Sequence, residues 1–162
     1  MLLEASYLAA TWRTPDPSGS FSDVLADPHL RVYLEGWPRP GDFAVIAEAD
    51  GASVGAAWYR TFTADSHGYG FIESSIPELS VAVRASHRGR GLGTELLCGL
   101  IEHARMEGVA ALSLSVEEDN PAVSLYQRLG FETVAKFGNA FTMRRDLLIR
   151  SDGVVRAQTS GA

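Results

Sequence analysis

The sequence predicts one α/β domain of α+β character, a mixed sheet flanked by helices. Three observations predict it. A hairpin signature opens the ordered part, two strand-to-helix units occupy its middle, and a second hairpin closes it. At 162 residues and 17.4 kDa the chain fits a single hydrophobic core. Residues 1–150 are assigned to that domain, and the small, polar, unpatterned stretch 151–162 to a disordered tail.

Taken in order, Leu3, Tyr7, Leu8 and then Thr11 or Trp12 recur at roughly helical spacing over residues 2–12. Pro15-Asp16-Pro17-Ser18-Gly19 ends that helix in a loop. Ser22 or Asp27-Pro28 starts further helical turns carrying Val24, Leu25, Leu30 and Leu34, before Trp37-Pro38-Arg39-Pro40-Gly41 breaks the chain. Strands 43–47 and 54–59 flank Asp50-Gly51, a dipeptide suited to the positive φ angles of a tight hairpin turn. Residues 61–77 read as a long polar loop with a short strand around Phe71-Ile72. Leu79 to Val83 then alternates as a strand.

From Thr94 to Met106, Leu96, Leu97, Leu100, Ile101 and Ala104 form one face of an amphipathic helix that Gly108 ends. Val109 to Val116 is the next strand. Asn120 as N-cap and Pro121 in the first turn open a second helix running to Gly130. Phe131–Phe137 and Ala140–Arg144, joined around Gly138-Asn139, form the closing hairpin.

Composition narrows the function. Hydrophobic residues make up 46% and charged residues 21%, as in soluble globular proteins. The net charge of −6 and pI of about 5.1 give no general electrostatic basis for binding nucleic acid or an anionic membrane. Lys136 is the one lysine, so Schiff-base chemistry is disfavoured. A single Cys98 forms no internal disulfide and is read as a small buried side chain. His29, His67, His87 and His103 share no metal-ligand spacing, and no metal is expected. Glu4 stands where a signal peptide wants a basic residue, and no apolar run reaches the length of a membrane span. A reducing, cytoplasmic location is the expectation.

The chemistry concentrates in Arg88-Gly89-Arg90-Gly91-Leu92-Gly93-Thr94, between a strand and a helix N-terminus. Glycines let several N–H groups converge, the helix dipole adds partial positive charge, and a pyrophosphate is the expected guest, supplemented by Arg88 and Arg90. The plain alternative is a connecting turn. A Walker loop needs Gly-Lys-Ser/Thr, and no lysine is present. A dinucleotide fingerprint counted from Gly89 would place Thr94 at its last glycine. What survives is Arg-x-x-Gly-x-Gly after a strand, followed by Asn120-Pro121-Ala122-Val123-Ser124-Leu125-Tyr126-Gln127-Arg128-Leu129-Gly130-Phe131.

With these two motifs the chain resembles the GNAT superfamily of acyl-CoA-dependent N-acetyltransferases over roughly residues 43–146. The resemblance implies a central mixed sheet splayed between the strands ending at Val83 and Val116, with acetyl-CoA filling the gap. It implies that Val81, Ala82 and Val83 run beside the pantetheine arm, and that Arg88, Gly89, Arg90, Gly91, Leu92, Gly93 and Thr94 hold the pyrophosphate. Asn120 is implied as a further cofactor contact, although it precedes Tyr126 by six positions where many relatives have seven.

On the same resemblance Tyr126 is the general acid for the departing thiolate, against the plainer reading of a packed core tyrosine. An amine with a pKa of about 10.4 needs a base, and Glu78 is the first choice. Glu73, Glu117, Glu118 and His87 compete and read more simply as solvated loop residues. A backbone N–H near Val81 is the oxyanion donor. Trp37, Trp58, Tyr59 and Phe71 are candidate acceptor contacts, with core packing as the default. The acid around Asp42, Asp65, Glu73 and Glu78 would suit a cationic amine, either a small molecule or a protein amino group. The family also implies a homodimer. The rival classes are a non-catalytic acyl-CoA-binding or sensing domain, and a different nucleotide-binding protein such as a dehydrogenase.

Overall fold

The computed structural model describes residues 5, 6, 8, 9 and 26–148. The predicted loop at 15–19, the helical start at Ser22 and the tail at 151–162 lie outside the described residues. Ala5, Ser6, Leu8 and Ala9 are helical. In chain order the elements are α1 (Pro28–Arg31), β1 (Phe43–Ala49), β2 (Ala52–Arg60), β3 (Glu78–Val83), a 3-10 turn (Ala85–His87), α2 (Leu92–Met106), β4 (Ala111–Glu117), α3 (Ala122–Arg128), β5 (Glu132–Phe137) and β6 (Ala140–Asp146).

Six strands form one mixed sheet in the order β1-β2-β3-β4-β6-β5. Asp50 and Gly51 take φ values of 52° and 75°, which turn β1 into β2 with the twist a tight hairpin needs. β2 and β3 pair antiparallel from Gly55↔Val83 to Arg60↔Glu78, and β4 and β6 from Ala111↔Asp146 to Glu117↔Ala140. The parallel seam between β3 and β4 is different. Its register holds the single pair Glu78↔Ser113, beside a bond from the Ser113 N–H to the Pro77 carbonyl at 3.0 Å. Beyond that point the two strands separate.

Alternation sends the side chains of each strand to two layers. Ala57, Tyr59, Leu79, Leu112 and Leu114 join Leu96, Leu97, Leu100, Ile101 and Ala104 of α2 in the main core. Each fully buried leucine there is worth about 1.5–3 kcal/mol relative to exposure. Ala56, Trp58 and Ala82 face the other way, against Ala5, Leu8, Ala9 and Trp37. A Cβ built on Gly93 would lie 3.4 Å from Leu125 Cδ2, so the first turn of α2 meets α3 on the main-core layer.

Several expectations are corrected. α2 starts at Leu92 and not at Thr94, because Gly91 at φ 87° supplies the left-handed entry. No strand forms at Phe71-Ile72. The preceding Gly70 instead spends its N–H on a carboxylate, and Phe71 stacks on His67 with ring centroids 4.6 Å apart. Cys98 is exposed rather than buried, since its neighbours Leu97 and Leu100 take the inner face of α2. The second helix is shorter than expected, its regular part spanning only Ala122–Arg128, while Asn120 caps it as the sequence predicts, Oδ1 accepting the Ala122 N–H at 2.9 Å.

Candidate active site

The opening between β3 and β4 organises the site. The Pro77 carbonyl faces β4, whereas the Arg84 N–H points back to the Val54 carbonyl of β2 at 2.9 Å. Backbone groups alternate along a strand, so those of Leu79, Val81 and Val83 face the opening and those of Ala82 face β2. Arg88 Nε takes the Val83 carbonyl at 3.0 Å. Val81 therefore presents its N–H and C=O to the gap. Of the three strand residues predicted beside the cofactor, Ala82 turns its backbone into the β2 ladder and its side chain into the opposite layer.

At the open end lie Gly89 and Gly91, with φ of 74° and 87° and nothing within 4 Å of where a Cβ would stand. Among the described residues no side chain caps the α2 N-terminus. The N–H groups of Leu92, Gly93 and Thr94 have no acceptor within the helix, and the dipole of a fifteen-residue helix adds to them. Arg88 and Arg90 are exposed beside this cradle, and Thr94 is exposed on its helical side. This concentrates anion-binding capacity at the mouth of the gap.

At the closed end lies Glu78, only 2% exposed. Its Oε1 accepts from the Tyr33 hydroxyl at 2.5 Å and from the Gly70 N–H at 2.8 Å, and Oε2 has no partner among the described residues. Tyr33 Oη in turn accepts the Tyr69 N–H at 2.8 Å. Burial pushes the Glu78 carboxyl up to about 7, against the lowering influence of Tyr33, Gly70 and His67. Burial, with the adjoining carboxyl, also raises the Tyr33 phenol well above its usual range. Tyr33 is held by Leu34, Phe62 and Phe71, its ring 5.5 Å from that of Phe62 in an edge-on arrangement.

The loop that covers Glu78 needs glycine for closeness. A Cβ on Gly70 would stand 2.5 Å from the carbonyl carbon of Leu114, and one on Gly68 would strike the Tyr33 ring. Sequence reasoning chose Glu78 but missed Tyr33, Gly68 and Gly70. No local pattern links them, because 45 residues separate Tyr33 from Glu78.

Tyr126 lies in α3, 7% exposed, with its ring edge-on to Phe131 at 6.0 Å. Burial raises its phenol above the ordinary range, so it is held protonated. Three of the four competing base candidates have partners of their own. Glu118 pairs with Lys136 at 2.5 Å, Glu73 accepts from Ser75 Oγ, and His87 shares a hydrogen bond with Ser86. Asp42 is no acceptor-side acid, because it lies in a buried ion pair with Arg60 at 2.5 Å. Trp58 and Tyr59 are core residues at 1% and 3% exposure, and Trp37 carries the Arg60 guanidinium 5.4 Å above its ring.

The model of the acetyltransferase (GNAT) family matches residues 8–131. A mycothiol acetyltransferase of Saccharomonospora viridis is 34% identical over 136 residues, covering 81% of this chain and 43% of that protein. An L-methionine sulfoximine/L-methionine sulfone acetyltransferase of Pseudomonas paraeruginosa is 38% identical over 89 residues, 54% of this chain and 49% of that protein. The chain thus spans less than half the length of these relatives. Among solved structures, yncA of Salmonella typhimurium, a putative acetyltransferase with its cofactor acetyl-CoA, superposes with a TM-score of 0.65. It has 25% identity, over 95% of this chain and 91% of that one. A ribosomal-protein-alanine N-acetyltransferase from Brucella melitensis gives a TM-score of 0.63 at 28% identity, over 90% and 92%.

Proposed function

Since the chain belongs to the acetyltransferase (GNAT) family, we propose that it transfers an acetyl group from acetyl-CoA to a primary amine by direct attack in a ternary complex. One observation carries this reading. The sheet opens between β3 and β4 with an anion cradle at its mouth and a buried carboxyl at its vertex. Gly89 to Thr94 hold the pyrophosphate, and the N–H and C=O of Val81 bind along the pantetheine arm or the thioester oxygen. Arg88 ties the cradle to β3 through the Val83 carbonyl, leaving Arg90 as the freer cation. Asn120 caps α3 through Oδ1, which leaves its side-chain N–H groups for the further cofactor contact.

Glu78 takes the proton of the incoming ammonium. A carboxyl near 7 is suited to this, since general bases work best with a pKa near the working pH. Its burial under Gly68 and Gly70 means that the proton reaches it through water or through movement of the covering loop. Tyr126, kept protonated, donates to the departing thiolate. The amine attacks the thioester carbon, the carbon–sulfur bond breaks, and CoA leaves as the thiol. The acceptor is a small molecule or a protein amine, in the cytoplasm. Incubation with acetyl-CoA and a panel of amines, followed by mass spectrometry of the acceptors, tests the reading.

The homodimer belongs to the same reading. Edge strand β5 leaves Val134 and Phe137 52% and 73% exposed, an apolar edge that pairing with a second copy would cover.

A further inference from the structure

A groove of about 490 Å³ lies between the C-terminal halves of α2 and α3, and the acetyl-transfer reading makes no use of it. Arg105 comes from the last turn of α2, Arg128 from the last turn of α3, and Arg145 from β6 beneath them. Among the described residues the groove has one acid, Glu102, which is 3.6 Å from Arg105. Neither Arg128 nor Arg145 is paired with a carboxylate among the described residues. The guanidinium of Arg145 packs within 4.0 Å of where a Cβ on Gly130 would stand, so glycine there leaves room beside it. Burial and the neighbouring Arg105 lower the Arg145 pKa, against a raising influence of Cys98.

Arginines at helix C-termini are favourable for the helices themselves, which accounts for Arg105 and Arg128 singly. It does not account for Arg145, which belongs to a strand and is half-buried. Three arginines lining one concavity, in a chain of net charge −6, form a ready counterpart for an oxyanion. Ile101 and Leu129 give the groove apolar walls. The groove-lining residues Cys98 to Arg105 lie roughly 6–17 Å along α2 beyond Thr94, the last residue of the Gly89–Thr94 cradle.

We propose that this groove binds a small organic oxyanion, a phosphate monoester or a carboxylate on an apolar body. The guanidiniums of Arg105, Arg128 and Arg145 hold the anionic group, and the body lies against Ile101 and Leu129. The volume falls within the range of small-molecule sites. Binding here does not depend on acetyl transfer, so the two readings stand or fall separately.

Cys98 lines the groove, is exposed and is the one cysteine of the sequence, which makes it a built-in reporter. Its alkylation by iodoacetamide is followed by mass spectrometry on the full chain at constant ionic strength, with phenyl phosphate, benzoate or phenol added. Phenyl phosphate or benzoate is expected to slow alkylation saturably, and whichever does so more strongly identifies the oxyanion. Phenol has no effect. Arg128→Gln and Arg145→Gln are each expected to weaken the protection about tenfold or more, with the midpoint of thermal unfolding retained as the check on folding. Equal protection by phenol, or protection unchanged in both variants, overturns the proposal. So does protection by CoA that dephospho-CoA fails to give, because the groove would then serve the cofactor's own phosphate.

Discussion

The Tyr33 hydroxyl donates a 2.5 Å hydrogen bond to Glu78 Oε1, joining the segment after α1 to the vertex of the split sheet. This bond favours the ionised carboxylate and opposes the burial that raises it. Tyr33→Phe removes the donor, and a hydrogen bond to a charged group is worth about 1.5–3 kcal/mol, or one to two pH units. The account predicts that the acid limb of kcat/KM against pH moves upward by about that amount in Tyr33→Phe. A merely structural tyrosine would lower the amplitude and leave the profile in place.

Glu78 also links pH to stability. Its folded pKa of about 7 lies above the ordinary 4.5, so the fold favours the protonated form. The stabilisation is complete below the unfolded pKa and is lost as pH rises through the folded one. Integrated over that window it amounts to about 3 kcal/mol. Denaturant unfolding of the parent chain should therefore weaken between pH 4.5 and 7 by up to that amount. In Glu78→Gln that component is absent, and turnover is lost across the whole range.

Tyr126→Phe should lower kcat by about 10²–10⁴-fold while leaving CoA affinity little changed, the size usual for removal of a general acid. Calorimetric titration with CoA checks the second half of this statement. Unchanged turnover would leave Tyr126 as a packing partner of Phe131 only.

Gly91 sits at φ 87° with open space where a side chain would project. Gly91→Glu should therefore fold, with backbone strain of about 1–3 kcal/mol, and should fail to bind CoA because a carboxylate occupies the pyrophosphate position. Normal affinity in that variant would reduce the glycine loop to a connector.

Much of this architecture was legible in the sequence because it is local. Asp50-Gly51 announced the first hairpin, Leu96 to Ala104 announced the buried face of α2, and Gly108 and Gly130 appear at φ 72° and 78° just after the helices they end. The phosphate cradle was legible for the same reason, since its glycines and its helix are contiguous. What escaped is non-local. Tyr33, Gly68 and Gly70 meet Glu78 only after the sheet has formed, and their spacing carries no period. Asp42 looked like free acid because its buried partner, Arg60, stands 18 residues away across the fold. Cys98 misled because apolar neighbours on a helix do not place a residue on the apolar face; the angular position does.

The central claim is that the split sheet carries out acetyl transfer rather than merely sensing acyl-CoA. The most direct measurement incubates the chain with acetyl-CoA and pooled primary amines, and follows acetylated amine and free CoA together by mass spectrometry, with Glu78→Gln alongside. The account predicts equimolar acetyl-amine and CoA from the parent chain and neither from the variant. Tight binding of acetyl-CoA with no acetylated amine, or equal product from Glu78→Gln, would contradict it.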